Sequence, residues 1–221
     1  MVSGPANDGS PAFSPDGNTI FFTRSTANWG VIVESHHVDG HWTQPTLAPF
    51  SGEWPDSSPA MLPDGSYLVF ESNRPKSPLT SCPNEGEPIP GSVSNLWRVD
   101  RVGTGWTKPA RLPDTVNLAG QSIWKPSIAA DGTIYFVSID KKGGKRLYSS
   151  QHKDGAYQQA QPPSFSDGTT LDGRADAVKG FPVERADWKP ISATQVAISS
   201  QLILTLATYP KPSPHGSTLR K

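Results

Sequence analysis

The chain is 221 residues long, enough for one large all-β domain, and its 20 Lys+Arg balance 20 Asp+Glu. That balance speaks against nucleic-acid and anionic-membrane partners, which draw on a basic excess. The 23 prolines and 20 glycines point to many turns and the 34% of hydrophobic residues to a modest core, while seven tryptophans set the chain apart from disordered sequences. A single cysteine, Cys82, excludes a disulfide framework and any multi-cysteine metal site.

The opening stretch MVSGPANDGS has neither the basic nor the apolar region of a signal peptide, so the chain as written carries no address. It runs into SPAFSPDG (residues 10–17), which returns as SPAMLPDG (58–65) and KPSIAADG (125–132). In each, a proline precedes a glycine by six positions: Pro11 and Gly17, Pro59 and Gly65, Pro126 and Gly132. A strand-like run follows every time (TIFFTR, YLVFES, IYFVS), rich in the β-branched and aromatic residues that strands favour. A second such segment comes next (VIVESHHVDG, NLWRVDRVGTG, RLYSSQHKDG), and then an aromatic residue just past a glycine: Trp42, Trp106 and Tyr157. From glycine to aromatic takes 25 residues in the first and third repeats and 41 in the second, an insertion of 16. Landmarks in fixed order define a repeat.

One unit reads as four short strands. SPAF is the first, with proline at its start, where a missing N–H costs least. SPDG is a type I turn, with Asp16, Gly17 and their counterparts Asp64, Gly65, Asp131 and Gly132 as structural turn residues. TIFF is the second strand, and its unbroken apolar character implies burial on both faces. VIVESHHV is the third, HVDGH a hairpin turn, and WTQPTL a fourth, outer strand that tolerates proline. Four-stranded units at this spacing are the mark of β-propeller blades, here an all-β, partial propeller of three clear blades.

The motifs SPDG…FF, LPDG…YLVFESNRP and NLWRV…GW.KP..L resemble the PD40 or WD40-like repeats of the TolB-like propellers over residues 8 to 168. That resemblance implies a propeller scaffold for binding, and a periplasmic or exported full-length protein. Related propellers also gate prolyl-oligopeptidase-type peptidases. A sialidase Asp-box is not matched, because Ser14-Pro15-Asp16-Gly17 lacks its spacer and its tryptophan.

The expected blades span residues 8–54, 55–123 and 124–168, and 169–221 is either a degenerate fourth blade or an irregular tail. WKPISATQVAISS (188–200) echoes WKPSIAADG (124–132), yet the six-residue step from Pro190 lands on Val196 rather than a glycine. QLILTLATYP is too short to cross a bilayer, so no membrane insertion is expected. Two accounts of this end compete, a degenerate fourth blade and a truncation or reading-frame change leaving part of a longer protein, and the second is the preferred expectation.

Chemistry is less legible than architecture. No Gly-x-Ser-x-Gly elbow or phosphate loop occurs, so no catalytic residue and no cofactor is assigned. His36, His37 and His41 cluster, but as an outward strand face rather than a metal site. The proline-rich insertion between Arg74 and Ser94, with Glu85 and Glu87, is a candidate functional loop or a neutral elaboration. Arg24, Arg74 and Lys125, with Asn73 and Trp124 beside them, lie near strand ends and are the candidate binding residues. The expected function is a non-catalytic scaffold for a protein or small polar ligand, with self-association through uncovered blade faces. The alternative is the propeller portion of a hydrolase, peptidase or carbohydrate-active, whose catalytic part lies elsewhere.

Overall fold

The computed structural model describes residues 6–25, 29–76, 93–139 and 144–165; the insertion at 77–92 and the segment from 166 onward, including the fourth-blade question, lie outside the described residues. All regular structure among the described residues is β. The first sheet is a meander of β1 (Asn7–Phe13), β2 (Thr19–Ser25), β3 (Gly30–Val38) and a split outer strand, β4 (His41–Trp42) and β5 (Thr46–Leu47), both paired to β3. The second repeats it with β6 (Asp56–Met61), β7 (Tyr67–Ser72), β8 (Asn95–Val102), β9 (Gly105–Trp106) and β10 (Ala110–Arg111). The third has β11 (Ser122–Ile128), β12 (Ile134–Ile139) and β13 (Lys145–Ser150), with a small hairpin of β14 (His152–Lys153) and β15 (Ala156–Tyr157) and a bridge from Ser149 to Gln161. The insertion leaves the sheet intact, since β7 and β8 pair directly from Tyr67↔Asp100 to Ser72↔Asn95.

Each turn of the SPDG type closes in the same way. The glycine N–H donates three residues back (Gly17 to Ser14, Gly65 to Leu62, Gly132 to Ala129) and the glycine itself is left-handed, at φ 71, 76 and 81°. The aspartate accepts the N–H two residues on: Asn18, Ser66 and Thr133. The third turn is one residue shorter, because Ala129 pairs with Thr133 where Ser14 and Leu62 pair with Thr19 and Tyr67. The hairpin between the second and third strands restores that residue, with Ser138 facing Arg146 where Arg24 faces Val31. The equal spacing from Gly17 to Trp42 and from Gly132 to Tyr157 is therefore the result of two compensating shifts. Trp42, Trp106 and Tyr157 do occupy one position, opposite His37, Arg101 and His152.

Two expectations need correction. The motif proline lies inside the first strand, not at its start. Each first strand carries a bulge in which two residues oppose one phenylalanine: Ser10–Pro11 against Phe22, Ser58–Pro59 against Phe70, Lys125–Pro126 against Phe136. A bulged residue makes no ladder bond, so proline costs nothing there. The residue before it is left-handed each time, at φ 52, 49 and 51°. The outer strand, too, is no single element: Pro45 and Pro109 break it into two short pairings.

Burial on both faces holds fully only for the second sheet. Tyr67 and Val69 enter the core shared with the third sheet (Ile123, Ile134, Phe136), while Leu68 and Phe70 enter the core shared with the first (Phe21, Ile32, Phe50). In β12, Ile134 and Phe136 are buried but Tyr135 and Val137 are only half-buried, because no described sheet covers their side. The first strand of each sheet packs against the first strand of the next, β1 on β6 and β6 on β11, so these strands form the common inner edge of a fan. These are consecutive blades of an all-β propeller.

The turns generate two predictions. A methyl group added at Gly17 meets nothing, whereas at Gly65 it lies 2.9 Å from the ring of Pro15 in the preceding blade. Gly17→Ala is expected to cost about 1–2 kcal/mol for the left-handed backbone, and Gly65→Ala measurably more, by urea unfolding. Separately, hydrogen bonds from Ser14 and the Asn18 N–H hold Asp16 below the usual carboxylate range, and those from Ser66 do the same for Asp64. A folded value below the unfolded one gives stability that is present above the unfolded pKa and is lost as pH falls through the folded pKa. The double variant Asp16→Asn, Asp64→Asn should therefore show a flatter loss of stability below about pH 4 than the native chain.

Candidate functional site at the inner edge

The bulges set the chemistry of the inner edge. A left-handed residue turns its N–H out of its own ladder, and a side chain of the preceding sheet takes it. The Ser58 N–H donates to Thr23 Oγ1 at 2.8 Å, and the Lys125 N–H donates to Glu71 Oε2 at 3.1 Å. Thr23 and Glu71 hold the same register position, opposite Gly9 and Ser57. Glu71 Oε1 also accepts the hydroxyls of Ser57 and, at 3.1 Å, Ser58. One carboxylate thus joins the second and third sheets through three donors.

The candidate residues then separate. Arg24 is ion-paired across the strands with Asp8, through Nε–Oδ1 at 2.8 Å and Nη2–Oδ2 at 3.0 Å. Arg74, expected at the surface as a candidate binding residue, lies inside instead. It is buried, donating from Nη1 to Asp56 Oδ1 at 2.7 Å and from Nη2 to the Phe50 carbonyl at 2.7 Å, with the rings of Phe70 and Trp97 against its guanidinium. Burial pushes the Asp56 carboxyl up and Arg74 opposes that shift. Ser51 donates to Asp56 and accepts the Ile32 N–H, so the pair clasps the link between the first two sheets. Asn73 is half-buried, its N–H on the Pro55 carbonyl.

Trp124 and Lys125 remain at the surface of β11. Trp124 is 39% exposed, with the Lys145 ammonium 5.5 Å from its ring centroid, and Lys125 carries its side chain on the left-handed bulge. The corresponding positions in the other sheets are Gly9–Ser10 and Ser57–Ser58. An exposed indole with one lysine ammonium against its ring and a second lysine next in sequence makes a platform for a flat or anionic group. Elsewhere, His36 Nδ1 sits 3.2 Å from Thr19 Oγ1 and His37 packs on Trp42 at 5.3 Å; His41 lies beyond the Asp39–Gly40 turn, so the three histidines do not share one strand.

Asp8, Asp56, Glu71 and Lys145 were not singled out from sequence. The two aspartates carried a signal, each standing three residues before its motif proline. Glu71 and Lys145 carried none, since their roles depend on which sheet follows which.

No protein-family model matches the chain, and no curated protein matches it. Similar solved structures include TolB from Acinetobacter baumannii, at 23% identity and a TM-score of 0.47 over 72% of this chain and 33% of that one. A TolB candidate from Agrobacterium tumefaciens shows 20% identity and a TM-score of 0.48 over 73% and 50%. A puromycin-hydrolyzing peptidase of Mycobacterium tuberculosis shows 16% identity and a TM-score of 0.49 over 74% and 23%. The chain thus spans a third to a half of the two TolB structures.

The buried pair yields the third prediction. Arg74→Ala leaves the Asp56 carboxyl buried without its partner and is expected to cost about 3–5 kcal/mol by denaturant unfolding. Adding Asp56→Leu should recover a substantial part of that loss.

Proposed function

We propose that the chain is a non-catalytic propeller scaffold that binds an acidic protein segment at the inner edge of its third sheet. The observation that carries this is the bulge of β11. Where the other sheets place Gly9–Ser10 and Ser57–Ser58, this one places Trp124 and Lys125, with Lys145 over the indole. The backbone of Lys125 is held by Glu71, so its side chain is presented from a fixed point rather than a loose loop. Preorganisation of that kind lowers the entropic cost of binding. An exposed tryptophan with a lysine ammonium against its ring suits carboxylates and aromatic rings, and tryptophan is prominent among residues that dominate interfaces.

The test is titration of the full chain with an acidic, tyrosine-containing peptide, followed by fluorescence anisotropy. Trp124→Ala and Lys125→Glu should each weaken binding at least tenfold with unchanged melting temperatures. A basic peptide of equal length should bind no more tightly than background. Equal binding by both variants would overturn the reading.

A further inference from the structure

A second site lies on the other interface, between the first two sheets and towards their outer edge. Here a crevice of about 150 Å³ is lined by Phe21, Glu34, His36, Pro49, Arg101 and Trp106, among others. Liquid water takes about 30 Å³ per molecule, so the space matches a small organic molecule. Its two formal charges have opposite signs and do not meet. Arg101 is held on the Trp106 ring, 4.8 Å from the centroid, with its Nε–H on the Gly65 carbonyl at 3.3 Å. Glu34 is fixed by the pairing of β3 with β2 and β5, and its side chain is only 17% exposed. No ion pair joins it to Arg101, and among the described residues no hydrogen bond reaches its carboxylate; the His36 ring stands beside it, Nε2 at 3.9 Å.

A half-buried carboxylate without a donor, across a gap from a guanidinium with free N–H groups, is the negative image of a zwitterion. We propose that this crevice binds a free α-amino acid, its ammonium on Glu34 and its carboxylate on Arg101. The site is independent of the inner edge. Phe21 and Trp106, 5.6 Å apart edge-to-face, supply an apolar wall beside the two charges. The side chain of the ligand has an exit. A second cleft of about 260 Å³ shares Thr19 and Arg101 with the crevice and runs to Asp16 and Asp64. Two carboxylates at that end select a basic side chain, so lysine and arginine are the preferred ligands.

The experiment follows the Trp106 indole N–H by ¹H–¹⁵N NMR during titration of the full chain with L-lysine, L-glutamate, acetate and methylammonium. L-lysine is expected to shift it saturably, binding at least tenfold tighter than L-glutamate or either fragment. Glu34→Gln and Arg101→Lys, the second retaining charge but not the planar fork, should each weaken lysine at least tenfold while the rest of the spectrum stays native. Asp16→Asn with Asp64→Asn should abolish the preference for lysine over glutamate and leave binding itself. No saturable shift at tens of millimolar, equal binding of the separate fragments, or unchanged affinity in Glu34→Gln would each overturn the proposal.

Discussion

The assembly depends on one backbone N–H per sheet. Placing a left-handed residue before proline is unfavourable locally, since the residue preceding proline is pushed towards extended conformations. The strain recurs at Ser10, Ser58 and Lys125, so something must hold it. In the second and third sheets the holder is visible: Thr23 and Glu71 accept the N–H that the bulge turns outward. The bulge gives the inner strand its bend, and the bend brings β1, β6 and β11 together. The bond that stabilises the local distortion is thus the bond that attaches one sheet to the next. Neither sheet has reason to take this shape without its neighbour.

Burial follows from the same attachment. Once sheets stack through their inner strands, the residues of a middle second strand point alternately into two different cores, as Tyr67, Leu68, Val69 and Phe70 do. Burying such side chains contributes roughly 1.5–3 kcal/mol each, against the whole stability of a domain of about 5–15 kcal/mol. The Arg74–Asp56 pair belongs to the same logic. It sits where the chain passes between sheets, in a place that must be polar because the link brings the Phe50 carbonyl inside. A buried charge there is tolerable because Arg74 and Asp56 hold one another, although the Trp97 indole N–H beside them has no partner.

How much of this was legible in sequence divides along a physical line. Turn chemistry is local, so the aspartate and glycine of each SPDG-type turn could be read directly, and strand order followed from their spacing. The position of proline within the first strand was misread because a bulge is a property of pairing register, which a single segment does not display. Arg74 was misread for a related reason. Its partner stands 18 positions earlier, on a strand whose register against β7 must be known before the two can be placed together. Even the equal spacing of Gly17–Trp42 and Gly132–Tyr157, which read as identity, concealed a shortened turn and a lengthened hairpin.

This division also explains where function has room. At the bulge the backbone does the structural task, and the side chain is left without one. Ser10, Ser58 and Lys125 share a conformation, yet the third replaces a hydroxyl with a charge. The residue just before them differs still more, as Gly9, Ser57 and Trp124. Positions such as Phe22, Phe70 and Phe136 are constrained to one residue type by the core they fill. A repeat that fixes its geometry through main-chain groups can therefore change its inner surface from blade to blade without changing its fold. The tryptophan and lysine of the third sheet are what that freedom looks like in this chain.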